Sequence, residues 1–228
     1  MKSGTARWNT FEAQSGMNSP NASIQLYTAA TGNGRRATIM LEECGLPYVA
    51  HVIPIGKTAV KPFEFLRINP LGTVPLIVDP GGEHGRDVVL RQSSAILLYL
   101  AEKSGKLLPR DPAERAVMFE WMMFAVTDVV GSNTAMYQTM TEFPDNAPGV
   151  VEFFRRQLVE FLRVCDARLA QSEYLAGAEM SIADIALFPV FVSRAALVEE
   201  SDGLDNFKRW AAAIGARAGV RRALAVGT

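Results

Sequence analysis

Apolar and polar residues alternate along Ile24-Gln25-Leu26-Tyr27-Thr28, the period of a short strand. The period then changes. After the turn residues Thr31-Gly32-Asn33-Gly34, the apolar positions Ala37, Met40, Leu41 and Cys44 recur at helical spacing, and Gly45 with Pro47 closes that helix. Residues 48–55 return to strand character, and Phe63, Phe65 and Leu66 predict a short helix after Lys61-Pro62. Residues 74–78 read as a third strand and Val88-Val89-Leu90 as a fourth, past a turn at Gly81-Gly82, before a helix over 93–103. The order β-α-β-α-β-β-α predicts a compact α/β sandwich whose first helix is a crossover between parallel strands.

Residues 104–112 form a linker in which Gly105, Pro109 and Pro112 break any helix, and every strong signal beyond it is helical. Met118, Trp121, Met122 and Ala125 share one face. Phe154, Leu158, Phe161, Leu162, Cys165 and Leu169 share a second, and Phe207, Trp210, Ala211 and Ile214 a third. Met180-Ser181-Ile182-Ala183-Asp184-Ile185 reads as a helix start, with Ser181 at the N-cap, Asp184 closing a capping box, and Met180 with Ile185 as a hydrophobic staple. The fold class is therefore an α/β unit over 23–104 followed by an all-helical unit over 112–228. Residues 1–22 are rich in Ser, Asn, Thr and Gly without period and read as a tail, which Trp8 and Phe11 either anchor or merely interrupt.

Composition removes several classes of function. The net charge of -1 and the pI near 6.2 leave no global basic field to draw nucleic acid or anionic lipid. Cys44 and Cys165 stand far apart, form no CxxC, and fall on apolar helical faces, so they read as core in a reducing compartment. Two histidines, His51 and His84, are too few for a zinc cluster, and no metal is expected. No apolar stretch follows Lys2 and Arg7, and the longest apolar runs, near 95–101 and 185–192, are far short of a membrane span. The expectation is a cytoplasmic protein.

Three local features could carry chemistry, and the sandwich could bring them together. Thr31-Gly32-Asn33-Gly34-Arg35-Arg36 lies between a strand and a helix start, where backbone N–H groups and the dipole favour an anion. Two cations at that end hint at an anion or carboxylate partner, although on local features alone an ordinary turn with solvated arginines is the plainer account. Asn69-Pro70-Leu71-Gly72-Thr73-Val74-Pro75 leads into a strand. A cis Val74–Pro75 bond there would turn the Val74 backbone outward, to pair with a bound peptide as an added strand; a trans proline at an edge is the plainer account. Gln92-Ser93-Ser94 precedes an apolar helical run, where the serines read as N-caps and the free N–H groups could hold a carboxylate.

The order of the first strand, Thr31-x-Asn33, Val74-Pro75, Gln92-Ser93-x-Ala95-Ile96-x-x-Tyr99-Leu100 and Ser181-Ile182-Ala183-Asp184 resembles the glutathione transferase superfamily over roughly residues 23–224. Within it, Thr-x-Asn-Gly ahead of Leu41-Glu42-Glu43, and Glu64-Phe-Leu-Arg-Ile-Asn-Pro70, are similar to the bacterial Nu-type proteins related to yeast Ure2. The resemblance implies a thioredoxin-like domain followed by a helical domain, usually as a homodimer, with glutathione as co-substrate. It implies that Thr31 and Asn33 lie beside the glutathione sulfur, that Val74, before the cis Pro75, pairs with the cysteinyl backbone, and that Gln92 and Ser93 hold the γ-glutamyl end. It also brings the loop of Lys57 toward the glycyl carboxylate. Gln92 stands where Nu-type proteins generally have Glu, Val60 where a polar loop residue is usual, and Arg217-Ala-Gly-Val220 lacks the proline of an RPxV motif.

The thiolate is the nucleophilic form of a thiol whose ordinary pKa is ~8.5, and a hydroxyl, an amide and a helix N-terminus each favour it. No general base is then needed, and Tyr27 reads as a packed strand residue rather than a catalytic phenol. The implied activity is glutathione-dependent thiol chemistry, with disulfide reduction foremost and peroxide reduction beside it. Conjugation of glutathione to an electrophile and a non-catalytic binding or regulatory role on the same scaffold are the alternatives.

Overall fold

The computed structural model describes residues 23–80, 82, 86–143 and 147–227, so the tail with Trp8 and Phe11, the turn residue Gly81, and His84 lie outside the described residues. Strand β1 (Ile24–Thr28) runs into helix α1 (Gly32–Cys44), which crosses to β2 (Tyr48–Val52). Helix α2 (Phe63–Ile68), β3 (Leu76–Asp79), β4 (Val88–Arg91) and α3 (Ser93–Ser104) complete the first unit. The sheet order is β2-β1-β3-β4, with β1 parallel to β2 and the other pairs antiparallel. This is the thioredoxin-like order with the expected right of way for α1 as crossover.

Alternation along β1 divides the packing. Ile24 and Leu26 point into the large core with Ile77, α1 and α3, while Tyr27 stacks on Phe65 of α2 and on His51 on the other face. Two strands are shorter than their apolar runs. Strand β2 stops at Val52 because Pro54 follows, and β3 begins at Leu76 because Pro75 has no N–H for the ladder.

The second unit is helical among the described residues. Asp111 accepts from the N–H groups of Ala113 and Glu114 and starts α4 (Pro112–Phe124), with Pro112 in the first turn. Helix α4 continues through one π-turn, Ala125–Val129, into α5 (Val130–Glu142). Helices α6 (Pro148–Leu169), α7 (Ile182–Ser193), α8 (Ala195–Glu200), α9 (Asp205–Gly215) and α10 (Ala218–Leu224) follow. Nearly all of α7 is buried, and its capping box forms as the sequence predicts. The Asp184 carboxylate takes bonds from the Ser181 N–H (2.9 Å) and hydroxyl (3.1 Å), the Leu175 N–H (3.0 Å) and the Trp210 indole (2.9 Å). Burial pushes this carboxyl upward and the four donors oppose it. One apolar core runs from Leu26 and Ile39 through Met118 and Leu162 to Phe188 and Trp210, without a break between the two units.

Candidate functional site

The register of the sheet decides where the sequence-selected residues meet. Tyr27 of β1 pairs with Leu76 of β3, and Leu76 pairs with Arg91 of β4, so these three stand in one row. The chain segments just past that row are Thr31–Asn33 after β1, Val74–Pro75 before β3, and Gln92–Ser93 after β4. Strand β2, parallel to β1 with Val52 opposite Thr28, sends its Lys57 loop out at the same end. All four predicted segments therefore emerge together, and both α1 and α3 begin there. Neither helix has an acidic residue in its first turn, so two positive helix ends are left without a local counter-charge.

The Thr31 side chain caps α1. Its Oγ1 accepts the Gly34 N–H at 3.1 Å, which leaves the hydroxyl hydrogen for another partner. Gly34 has to be glycine, since a Cβ there would sit 2.1 Å from the Ala29 carbonyl and 2.7 Å from Thr28 Oγ1. Asn33 is exposed at the start of α1. Val74–Pro75 is cis, and the Val74 N–H and carbonyl enter no hydrogen bond among the described residues.

Gln92 sits at φ 71°, ψ 112°, a region that a side-chain-bearing residue occupies only under constraint. That turn corrects one expectation. Gln92, not a serine, is the capping residue of α3, and it makes no side-chain cap; Ser93 is already helical. Freed from capping, the Ser93 hydroxyl lies 3.4 Å from Asn33 Oδ1 and 3.4 Å from the Arg36 guanidinium. Helix α3 thus keeps its first N–H groups uncapped beside a hydroxyl.

Arg36 meets neither expectation that the sequence raised for it. It is only 2% exposed, and among the described residues no carboxylate pairs with it. Its Nε donates to the Ala186 carbonyl of α7 at 2.7 Å, and its Nη1 donates to Asn33 Oδ1 and toward Ser93 Oγ. Burial pulls its pKa down to about 10, so it remains a cation at neutral pH. The available signal was spacing, because residues 33 and 36 lie on one helical face. Arg35 is half-buried, and its Nε has no partner among the described residues.

Lys57 emerges at that same end but reaches the end of α5. Its ammonium contacts Glu142 Oε2 at 2.8 Å and the Thr141 carbonyl at 3.4 Å, at the end of α5. The cysteines stand apart from the site. Burial raises the Cys44 thiol, to which Ser104 Oγ donates at 3.2 Å, and pushes Cys165 up to about 12. Both are protonated at neutral pH and neither is poised to attack. Among the described residues no group of His, Cys, Asp and Glu could hold a metal ion, and no helix is long and apolar enough to cross a membrane.

Comparison with known proteins gives the arrangement a context. The family profile for the glutathione S-transferase N-terminal domain matches residues 33–103, and that for the C-terminal domain matches residues 148–213. The disulfide-bond oxidoreductase YfcG of Escherichia coli is 36% identical over 167 residues, 73% of this chain and 78% of its own. A second protein of that bacterium, the disulfide-bond oxidoreductase YghU, is 33% identical over 216 residues, 87% of this chain and 73% of its own. Among solved structures, a glutathione transferase from Burkholderia graminis, with two glutathione molecules bound per subunit, superposes with a TM-score of 0.81. It is 33% identical, and the match covers 90% of this chain and 88% of that one.

Proposed function

The chain belongs to the glutathione S-transferase family, and from that premise we propose that it is a glutathione-dependent disulfide reductase. The observation that carries the reading is the Thr31–Asn33 turn: it offers a hydroxyl and an amide at a helix N-terminus, and both protein thiols are buried elsewhere. In this reading Thr31 and Asn33 stabilise the glutathione thiolate, and Val74, ahead of Pro75, pairs with the cysteinyl backbone. Gln92 and Ser93 hold the γ-glutamyl end at the start of α3, and Lys57 swings from Glu142 to the glycyl carboxylate. The names of YfcG and YghU, and the two glutathiones in the Burkholderia graminis structure, support a reaction that uses two glutathiones.

The thiolate of one glutathione attacks a sulfur of the substrate disulfide. That S–S bond breaks, a mixed disulfide forms, and the departing thiolate takes up a proton. A second glutathione thiolate then attacks the glutathione sulfur of the mixed disulfide, releasing the second substrate thiol and forming glutathione disulfide. Two glutathiones are oxidised for each disulfide reduced, and no protein sulfur enters. The second substrate would lie against α5, where Tyr137 and Met140 are exposed on the face that also carries Thr141. The functional unit is a cytoplasmic homodimer of chains, each with a glutathione-binding unit over 23–104 and a helical unit over 112–228.

The test is an assay of the purified chain with glutathione against 2-hydroxyethyl disulfide, a peroxide and a chloronitrobenzene. Disulfide turnover with two glutathiones consumed per disulfide is expected. Turnover of the chloronitrobenzene alone would replace reduction by conjugation, and turnover of none with glutathione still bound would make the chain a binding protein.

A further inference from the structure

Arg36 presents a problem that the fold by itself does not solve. A guanidinium taken out of water is costly unless a counter-charge meets it, and no carboxylate among the described residues comes within ion-pair distance. Its partners are neutral: the Ala186 carbonyl, the Asn33 amide oxygen and the Ser93 hydroxyl. The first belongs to the turn of α7 just ahead of Pro189, whose ring has no N–H to offer the Ile185 carbonyl.

The ionisable groups on the elements packed around α1 are engaged elsewhere. At the far end of α1, Glu42 and Glu43 pair with Arg222 and Arg217 of the α10 region. Asp184 of α7 is held by Trp210, Ser181 and Leu175. In the last turns of α3, Glu102 faces Arg115, and Lys103 pairs with Asp79 of β3. Strand β1 contributes only Tyr27, stacked on His51. Arg35, on α1 itself, adds to the positive charge rather than offsetting it.

Arginine can only donate hydrogen bonds, whereas an asparagine amide has one accepting end and one donating end. An Asn33 whose Oδ1 is taken by Arg36 must present its NH2 group the other way. We propose that Arg36 is a positioning residue for the glutathione thiolate: it orients the Asn33 amide so that the N–H groups face the sulfur, and it supplies the buried charge that bound glutathione neutralises. The proposal rests on the reading of this end of the sheet as a glutathione site. Arg36 also reaches toward Ser93, so one cation links the sulfur end of the site to the γ-glutamyl end and ties both to α7.

The experiment compares wild type, Arg36→Gln and Arg36→Lys as full chains, following the ultraviolet absorbance of the bound glutathione thiolate against pH, with kcat/KM over the same range. In Arg36→Gln the thiol titration is expected to move up by about one pH unit, a loss of thiolate of up to about tenfold below the titration midpoint. Arg36→Lys, which keeps a donor-only cation in the pocket, is expected to restore most of that shift. A folded Arg36→Gln whose titration and pH profile superpose on wild type overturns the proposal, even if its Tm falls or its KM for glutathione rises, since docking on α7 alone would do that. Should Arg36→Gln not fold, Asn33→Asp carries the test, because a carboxylate there neutralises Arg36 and offers no N–H to the sulfur. Its titration must rise by at least as much, and an unmoved one overturns the proposal. Calorimetry of wild type with glutathione separates the two levels: absent binding removes the glutathione site itself, whatever the Arg36 variants do.

Discussion

The hydroxyl of Thr31 accepts the Gly34 N–H and keeps its hydrogen, so capping α1 and donating to a sulfur do not compete. Thr31→Ala removes both. The lost cap costs about 1 kcal/mol of stability, and the lost donor is expected to raise the bound thiol pKa and lower kcat/KM by about ten- to a hundredfold. Glutathione binding should weaken less than that. Cys44→Ala and Cys165→Ala are expected to stay near wild-type activity, since burial holds both thiols protonated. Steady-state kinetics on the three variants decide: a dead cysteine variant beside a fully active Thr31→Ala would reverse the mechanism. The turn that carries Thr31 and Asn33 was legible because it is local, bounded by a strand and a helix that the residue pattern itself marks. The state of Arg36 was not legible, because its burial is decided by α7, 150 residues further along the chain.

At the scale of elements, apolar period and punctuation located every strand and helix of the first unit, while the ends moved where proline denied the ladder a donor, as at Pro54 and Pro75. The π-turn between α4 and α5 left no signal, since Ala125–Val129 keeps a helical apolar pattern and differs only in hydrogen bonding. The tie between the Lys57 loop and the end of α5 was hidden for a similar reason, being a meeting of two surfaces distant in sequence. If Lys57 serves the glycyl carboxylate as proposed, the end of α5 competes with glutathione for it. An exposed pair of this kind is worth about 0–1 kcal/mol, so Glu142→Gln is expected to tighten glutathione binding by up to about fivefold at low salt, with the gain fading as ionic strength rises. Calorimetry at two salt concentrations reads this directly, and equal affinities for variant and wild type at low salt would remove Lys57 from the glycyl end.

At the scale of the molecule, the two units share one apolar core, in which Ile39 and Leu97 from the first belong with Met118, Leu162 and Phe188 from the second. The Arg36–Ala186 bond and the Glu43–Arg217 pair, at 2.6 and 2.9 Å, fasten the same seam. Thermal unfolding is therefore expected as one transition, coincident by far-ultraviolet and near-ultraviolet dichroism. Two resolved transitions would mean that the seam opens first. A catalyst of thiol exchange is bathed in reagents that cap, bridge and over-oxidise any sulfur they can reach. This chain has two cysteines, and both are sealed within that shared interior. The chain therefore presents no reachable sulfur of its own to glutathione disulfide, and in the proposed reaction the oxidising equivalents leave on glutathione rather than staying on the protein.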